Sequence, residues 1–175
     1  MTAPEFSRPI RVDTLGAAPR PLAVAAEEGE RIALARRFGL VAIERLVADL
    51  LLSRDGVEVA VEGRLSAKVT QACIATGAPL AAAIEAPFRL LFRPHPESGA
   101  DEEIELSESE LDVTFYDAAS IDVGEAVAET LALSLDPYPR APGAEEAALK
   151  AVGVKSEAEA GPFGALAGLR DRLKP

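Results

Sequence analysis

Tryptophan is absent from this chain of 175 residues, and cysteine, histidine and methionine occur once each. Each shortage excludes something. A single cysteine cannot form an intrachain disulfide, and Cys73 with His95 cannot supply a thiolate-rich zinc site. Three positions beyond Cys73 stands Thr76, so there is no CxxC pair, and Cys73 reads as a small core residue. His95 lies between Pro94 and Pro96, a turn-like setting, and reads as a surface histidine; acid–base work needs an orienting partner, which the sequence does not identify. GxSxG, the P-loop, GxGxxG and HExxH are all missing. The expectation is a protein that is not an enzyme and that uses no cofactor and no metal. No apolar run approaches the roughly 18–20 residues that span a bilayer. The opening MTAPEFSRPIRVD carries Glu5 and Asp13 and has no apolar core, so it does not read as a signal peptide. Cytoplasmic residence is expected, away from membranes, and the lone cysteine fits a reducing compartment.

Basic residues are also missing from one long stretch. Of a net charge of −11, residues 95–112 contribute eight acidic side chains and no Lys or Arg, whereas residues 1–54 hold eight basic and seven acidic groups and residues 55–94 hold four of each. Like charges in a block repel one another, which favours a flexible loop or an interaction segment. Glu102, Glu103, Glu105, Glu108 and Glu110 are the candidate partner-binding residues, and a basic protein is the partner this charge suits. The plain alternative is a solvated loop that keeps the chain soluble. The segment lacks the ordered spacing and turn glycine of an EF-hand. It also disfavours direct contact with a phosphate backbone, which needs clustered Lys and Arg. Arg31, Arg36, Arg37 and Arg45 form the alternative, a local patch that could contact RNA directly.

What remains reads as an α+β fold, an antiparallel meander with a hairpin, packed with two main helices. Arg8–Val12 and Pro21–Ala25 are short extended segments. From Glu27 to Phe38 acidic residues come first, Arg36 and Arg37 last, and Gly39 follows, the order a helix dipole and a glycine cap favour. Ile32, Ala35 and Phe38 are its expected buried face. Leu46, Ala48, Leu50 and Leu52 alternate with other residues, as do Val57, Val59 and Val61, and the Asp55-Gly56 pair between them signals a hairpin. The segment from Leu40 also admits a helical period, and the alternation of its second half decides for strand. The second strand continues through Leu65, Ala67 and Val69, with Gly63 marking a bulge or a close approach. A turn at Thr76-Gly77-Ala78-Pro79 leads into a third strand through Ile84–Phe92, and Asp112–Tyr116 forms another. Asp122 and Glu125 have the spacing of a capping box for a helix that ends by Leu135, with Val123, Val127, Leu131 and Leu135 as its buried stripe. Pro137 and Pro139 bar its continuation. Residues 1–140 are thus expected to form one domain with an acidic loop at 95–112, and residues 141–175 a weakly packed tail with helical pieces at Ala144–Val152 and Phe163–Leu173.

Two stretches carry a resemblance. VTQACIATGAPL at 69–80, and IDVGEAVAETLALSLDPYP, which begins at Ile121, resemble signatures of the YceD family, the bacterial large ribosomal RNA subunit accumulation proteins. GPFGALAGLRDRL near the end and EFSRPIRVDTLG near the start are similar to segments of alphaproteobacterial-type members, so the likeness covers almost the whole chain. Some members carry further cysteines near Cys73 and after the helix; here Thr76 and YPRAPGAEE stand in those places. The resemblance implies a non-enzymatic factor that supports accumulation of 23S ribosomal RNA and so large-subunit assembly. Combined with the charge, it implies a basic ribosomal or assembly protein as partner, with ribosomal RNA reached directly or indirectly.

Overall fold

A computed structural model of the protein describes residues 4–95, 112–116 and 119–153. The hairpin organises it. Strands β3 (Ala42–Asp55) and β4 (Glu58–Ala72) are joined at Gly56, whose φ of 57° is the left-handed conformation that glycine adopts without a Cβ penalty. Their antiparallel register runs unbroken from Asp55 opposite Glu58 to Arg45 opposite Lys68, and a bulge lies between Ile43 and Arg45. Gly63 sits in regular register opposite Leu50, so it is no bulge. A Cβ there would strike the backbone oxygen of Asp49, which makes it a close approach of two strands.

Around this pair the expected meander is extended to five strands in the order β2-β3-β4-β5-β6, where β2 is Arg20–Ala25, β5 is Pro79–Pro94 and β6 is Asp112–Tyr116. β2 is antiparallel to β3, but β6 pairs parallel to β5, with Leu90 opposite Asp112 and Pro94 opposite Tyr116. A parallel pair needs a long connection, and residues 95–111 are long enough to provide it. A separate two-stranded ribbon joins β1 (Pro9–Arg11) to β7 (Ser120–Asp122) antiparallel.

Helix α1 (Glu28–Phe38) starts as its charges dictate: the Glu30 carboxylate accepts the Glu27 backbone N–H at 2.7 Å, and Gly39 closes the helix at φ 65°. Ala35 is buried and Phe38 packs partly buried against the core, as expected, but Leu34 is buried in place of Ile32, which is half exposed. Val57 is likewise exposed, because it lies in the hairpin turn and not on the strand. Helix α2 (Val123–Ser134) buries Val123, Val127 and Leu131 completely and Leu135 partly, as its four-residue spacing requires. These side chains join Leu46, Ala48, Leu50, Leu52, Val59, Val61, Leu65, Phe88 and Phe6 in one core. Each such burial contributes about 1.5–3 kcal/mol for a Val, Leu or Phe.

By contacts the chain divides into two compact units, Met1–Gln71 with Ala81–Pro137, and Ala72–Leu80 with Tyr138–Pro175. The first contains the core above. The second contains the turn after β4 and helix α3 (Ala144–Ala151), which ends at Gly153 with φ 82°. The acidic residues Glu97–Glu110 and the helical piece Phe163–Leu173 lie outside the described residues. Among the described residues no helix is long and apolar enough to cross a membrane.

Candidate functional site

The best-defined polar cluster ties the start of the chain to both helices. Asp122, the N-cap of α2, accepts the backbone N–H groups of Gly124 and Glu125 at 3.0 and 3.2 Å, the Arg8 N–H at 2.7 Å and the Ser7 hydroxyl at 2.5 Å. Arg8 grips Glu30 with both terminal nitrogens, at 2.6 and 2.8 Å, and its guanidinium lies 4.6 Å from the centre of the Phe6 ring. Such paired, charge-assisted bonds fix geometry as well as energy. The chain passes so close to α2 that a Cβ on Gly124 would strike the Phe6 backbone oxygen.

The Arg8 hydrogen bond, opposed by burial, holds the Glu30 carboxyl below its ordinary value. A carboxyl with a folded-state pKa below its unfolded one gives stability that is complete above the unfolded value and is lost as pH falls through the folded one. Acid unfolding of wild type should therefore draw on this pair below roughly pH 4. Glu30→Gln should be less stable than wild type at neutral pH, and the gap should narrow in acid; a constant gap across a denaturant series in pH would refute the linkage.

The sequence-derived site residues fall in three groups. Glu102, Glu103, Glu105, Glu108 and Glu110 lie outside the described residues. Arg31 and Arg36 are on α1; Arg31 donates to the Ala26 carbonyl at 2.7 Å, and Arg36 is exposed. Arg37 is occupied: it makes two bonds to Glu125, at 2.6 and 3.0 Å, and one to Glu5 at 3.1 Å, which together raise its pKa further. Glu125 is thus turned to Arg37, and the reciprocal half of the expected capping box is not formed. Arg45 is exposed on β3 directly opposite Lys68, a cation the sequence reading passed over although equal steps back from the hairpin turn reach both. His95 is exposed and stacks on Phe115 of β6 with ring centres 5.3 Å apart.

The two stretches that carried the resemblance meet in space. The Gln71 side chain donates to the Asp136 carbonyl at 2.9 Å, which explains how an amide is tolerated in a buried place. In the second unit the Ile74 N–H donates to the Pro139 carbonyl at 2.9 Å, and the Ala141 N–H points to the Cys73 sulfur at 3.4 Å. Cys73 is buried, and its turn is closed by Gly77 at φ 72°, whose N–H donates to the Cys73 carbonyl at 2.8 Å. A hydrogen bond with Thr76, then the Ala141 N–H, outweigh burial and bring the thiol down to about 7. A depressed acid of this kind gives stability that is full above its unfolded value and disappears as pH falls through about 7. Wild type should therefore gain stability from pH 7 to 9 relative to Cys73→Ser; parallel curves in thermal melts would show that the thiolate is not stabilised. Among the described residues no three His, Cys, Asp or Glu side chains lie together as a metal site.

No match to the chain is found among curated proteins or among solved structures. The family model described as large ribosomal RNA subunit accumulation protein YceD matches residues 61–170, which is more than half of the chain and takes in both stretches. With most of β4, the Cys73 turn and the Asp122-capped helix inside that match, the chain belongs to the YceD family, whose name ties it to accumulation of large-subunit ribosomal RNA.

Proposed function

We propose that the protein is a non-enzymatic cytoplasmic factor that supports accumulation of 23S ribosomal RNA, and hence large-subunit assembly, by binding a basic ribosomal or assembly protein. The observation that carries this reading is the charge of the family member itself: the acid is concentrated in residues 95–112, which hold eight carboxylates and no cation. Arg37, the central member of the helical arginine patch, is meanwhile engaged by Glu125 and Glu5 and is not free for phosphate. Basic ribosomal proteins are prone to bind RNA promiscuously, and an acidic holder would keep one available for assembly.

The test replaces Glu102, Glu103, Glu105 and Glu108 with Gln in the full chain. Capture of salt-stripped large-subunit proteins should fall, with the far-UV spectrum unchanged. Wild-type capture should weaken as salt rises past roughly 0.15 M, where the Debye length is about 8 Å. Equal capture by the two proteins at all salt concentrations would leave the segment as a solubility device. The opposed Arg45 and Lys68 favour a second reading, direct RNA contact, since like charges facing each other across a ladder are unfavourable without an anion. Loss of 23S RNA binding in Arg45→Glu with Lys68→Glu, without loss of protein capture, would select it.

A further inference from the structure

An open groove of about 400 Å³ lies between α2 and the β5–β6 end of the large sheet. Arg89 and Leu90 of β5, Asp112 and Thr114 of β6, and Glu129 and Leu133 of α2 line it. Three features specify an occupant. The first is the edge. β6 ends the strand order, and among the described residues no strand lies on its outer side. Its sequence DVTFY has no Pro, Lys or Arg, the usual guards against strand addition, whereas the opposite edge strand β2 carries Arg20 and Pro21.

The second feature is apolar. Leu133 is 85% exposed and faces this groove, although the rest of α2's large aliphatic side chains are buried or partly so. The third is charge. Among the lining residues Glu129 and Asp112 are acidic and Arg89 is the one cation, so carboxylates outnumber it two to one. The last turn of α2, at Leu133 and Ser134, carries no basic residue to offset the negative end of the helix dipole. The balance of charge therefore favours a basic ligand over an acidic one.

We propose that the groove takes an extended, basic segment of a protein partner, added as a further strand on the β6 edge. One face of the segment sets apolar side chains against Leu133 and Leu90. Lys or Arg side chains reach Asp112, Glu129 and the α2 carbonyl end. Strand addition gives affinity through main-chain hydrogen bonds and specificity through alternate side chains. This inference rests on the basic-partner reading above and names its docking site.

The experiment uses the full chain and a labelled synthetic peptide of about ten residues alternating lysine and valine, the pattern that puts charge on one face of a strand and methyl groups on the other. Wild type should bind it, and amide exchange of β6 should slow in the complex. Glu129→Lys with Leu133→Lys, both exposed positions, should weaken binding by about tenfold or more, while Glu28→Lys on α1 changes it less than about twofold. Equal binding by the groove variant overturns the proposal. So do β6 amides that are already protected in the free protein and unmoved by the peptide, because the chain's own residues would then cover the edge. If stripped large-subunit proteins bind wild type and the groove variant alike, the groove fails while the basic-partner reading stands. If wild type binds the peptide through the groove but captures no ribosomal protein, the groove stands and that reading fails.

Discussion

Leu131→Ala is expected to destabilise the protein by about 2–5 kcal/mol, measured as a shift of the denaturation midpoint at unchanged slope. Leu131 is wholly buried on the sheet-facing side of α2, between Val127 one turn before it and Leu135 one turn after. Truncation removes apolar area from the core and leaves a cavity that rigid neighbours fill only in part. The adjacent substitution provides the contrast. Leu133, two residues on, is largely exposed, and Leu133→Ala should change stability by no more than about 0.5 kcal/mol. Equal effects of the two changes would mean that α2 presents a different face to the sheet.

That stripe was legible in the sequence because four-residue steps drift by only about 40° around a helix, so Val123, Val127 and Leu131 stay within about 80° of one another, and Leu135 follows as the extended C-cap. α1 shows the converse. Three-residue steps drift by about 60°, which carries Ile32 and Phe38 to directions about 120° apart, while Leu34 and Phe38 differ by about 40°. The buried residues are accordingly Leu34 and Ala35. The hairpin was legible for a different reason: Asp55-Gly56 fixes the turn, the turn fixes the register, and the register delivers the facing pair Arg45 and Lys68.

Non-local partners were not legible. DVTFY reads as a strand but does not say which strand it pairs with, so its parallel docking on β5 had no sequence signal. Glu125 has the capping-box spacing, yet a bidentate guanidinium 88 positions away outcompetes a neutral backbone N–H for its carboxylate. The same limit applies to the sites. Composition located the acidic segment and the arginines, but only the fold shows that Arg37 is engaged and that a groove opens beside β6.

Asp122→Ala is expected to cost roughly 2–4 kcal/mol, more than an ordinary cap. A cap that serves only its helix is worth about 0.5–2 kcal/mol. Asp122 serves two structures at once. Its carboxylate satisfies the Gly124 and Glu125 N–H groups at the start of α2, and it accepts the Arg8 N–H and the Ser7 hydroxyl from the segment that leads into β1. Alanine would leave these donors, partly shielded from water, without an acceptor, and unsatisfied donors cost more than the lost bonds alone. The β1–β7 ribbon should loosen as well, since Asp122 is also the residue opposite Pro9 in that pairing. Ser7→Ala removes only one of the four bonds and should cost markedly less; the double variant Ser7→Ala with Asp122→Ala should then be less destabilised than the two changes added together, because Ser7 has already lost its acceptor. Strict additivity in denaturant titrations would show that the two side chains do not interact. A cost for Asp122→Ala within the ordinary capping range would show that α2 is held by its stripe and not by its tie to the start of the chain. The first result expected beyond stability is a change in the groove, because α2 forms one of its walls and Asp122 sets where that helix begins.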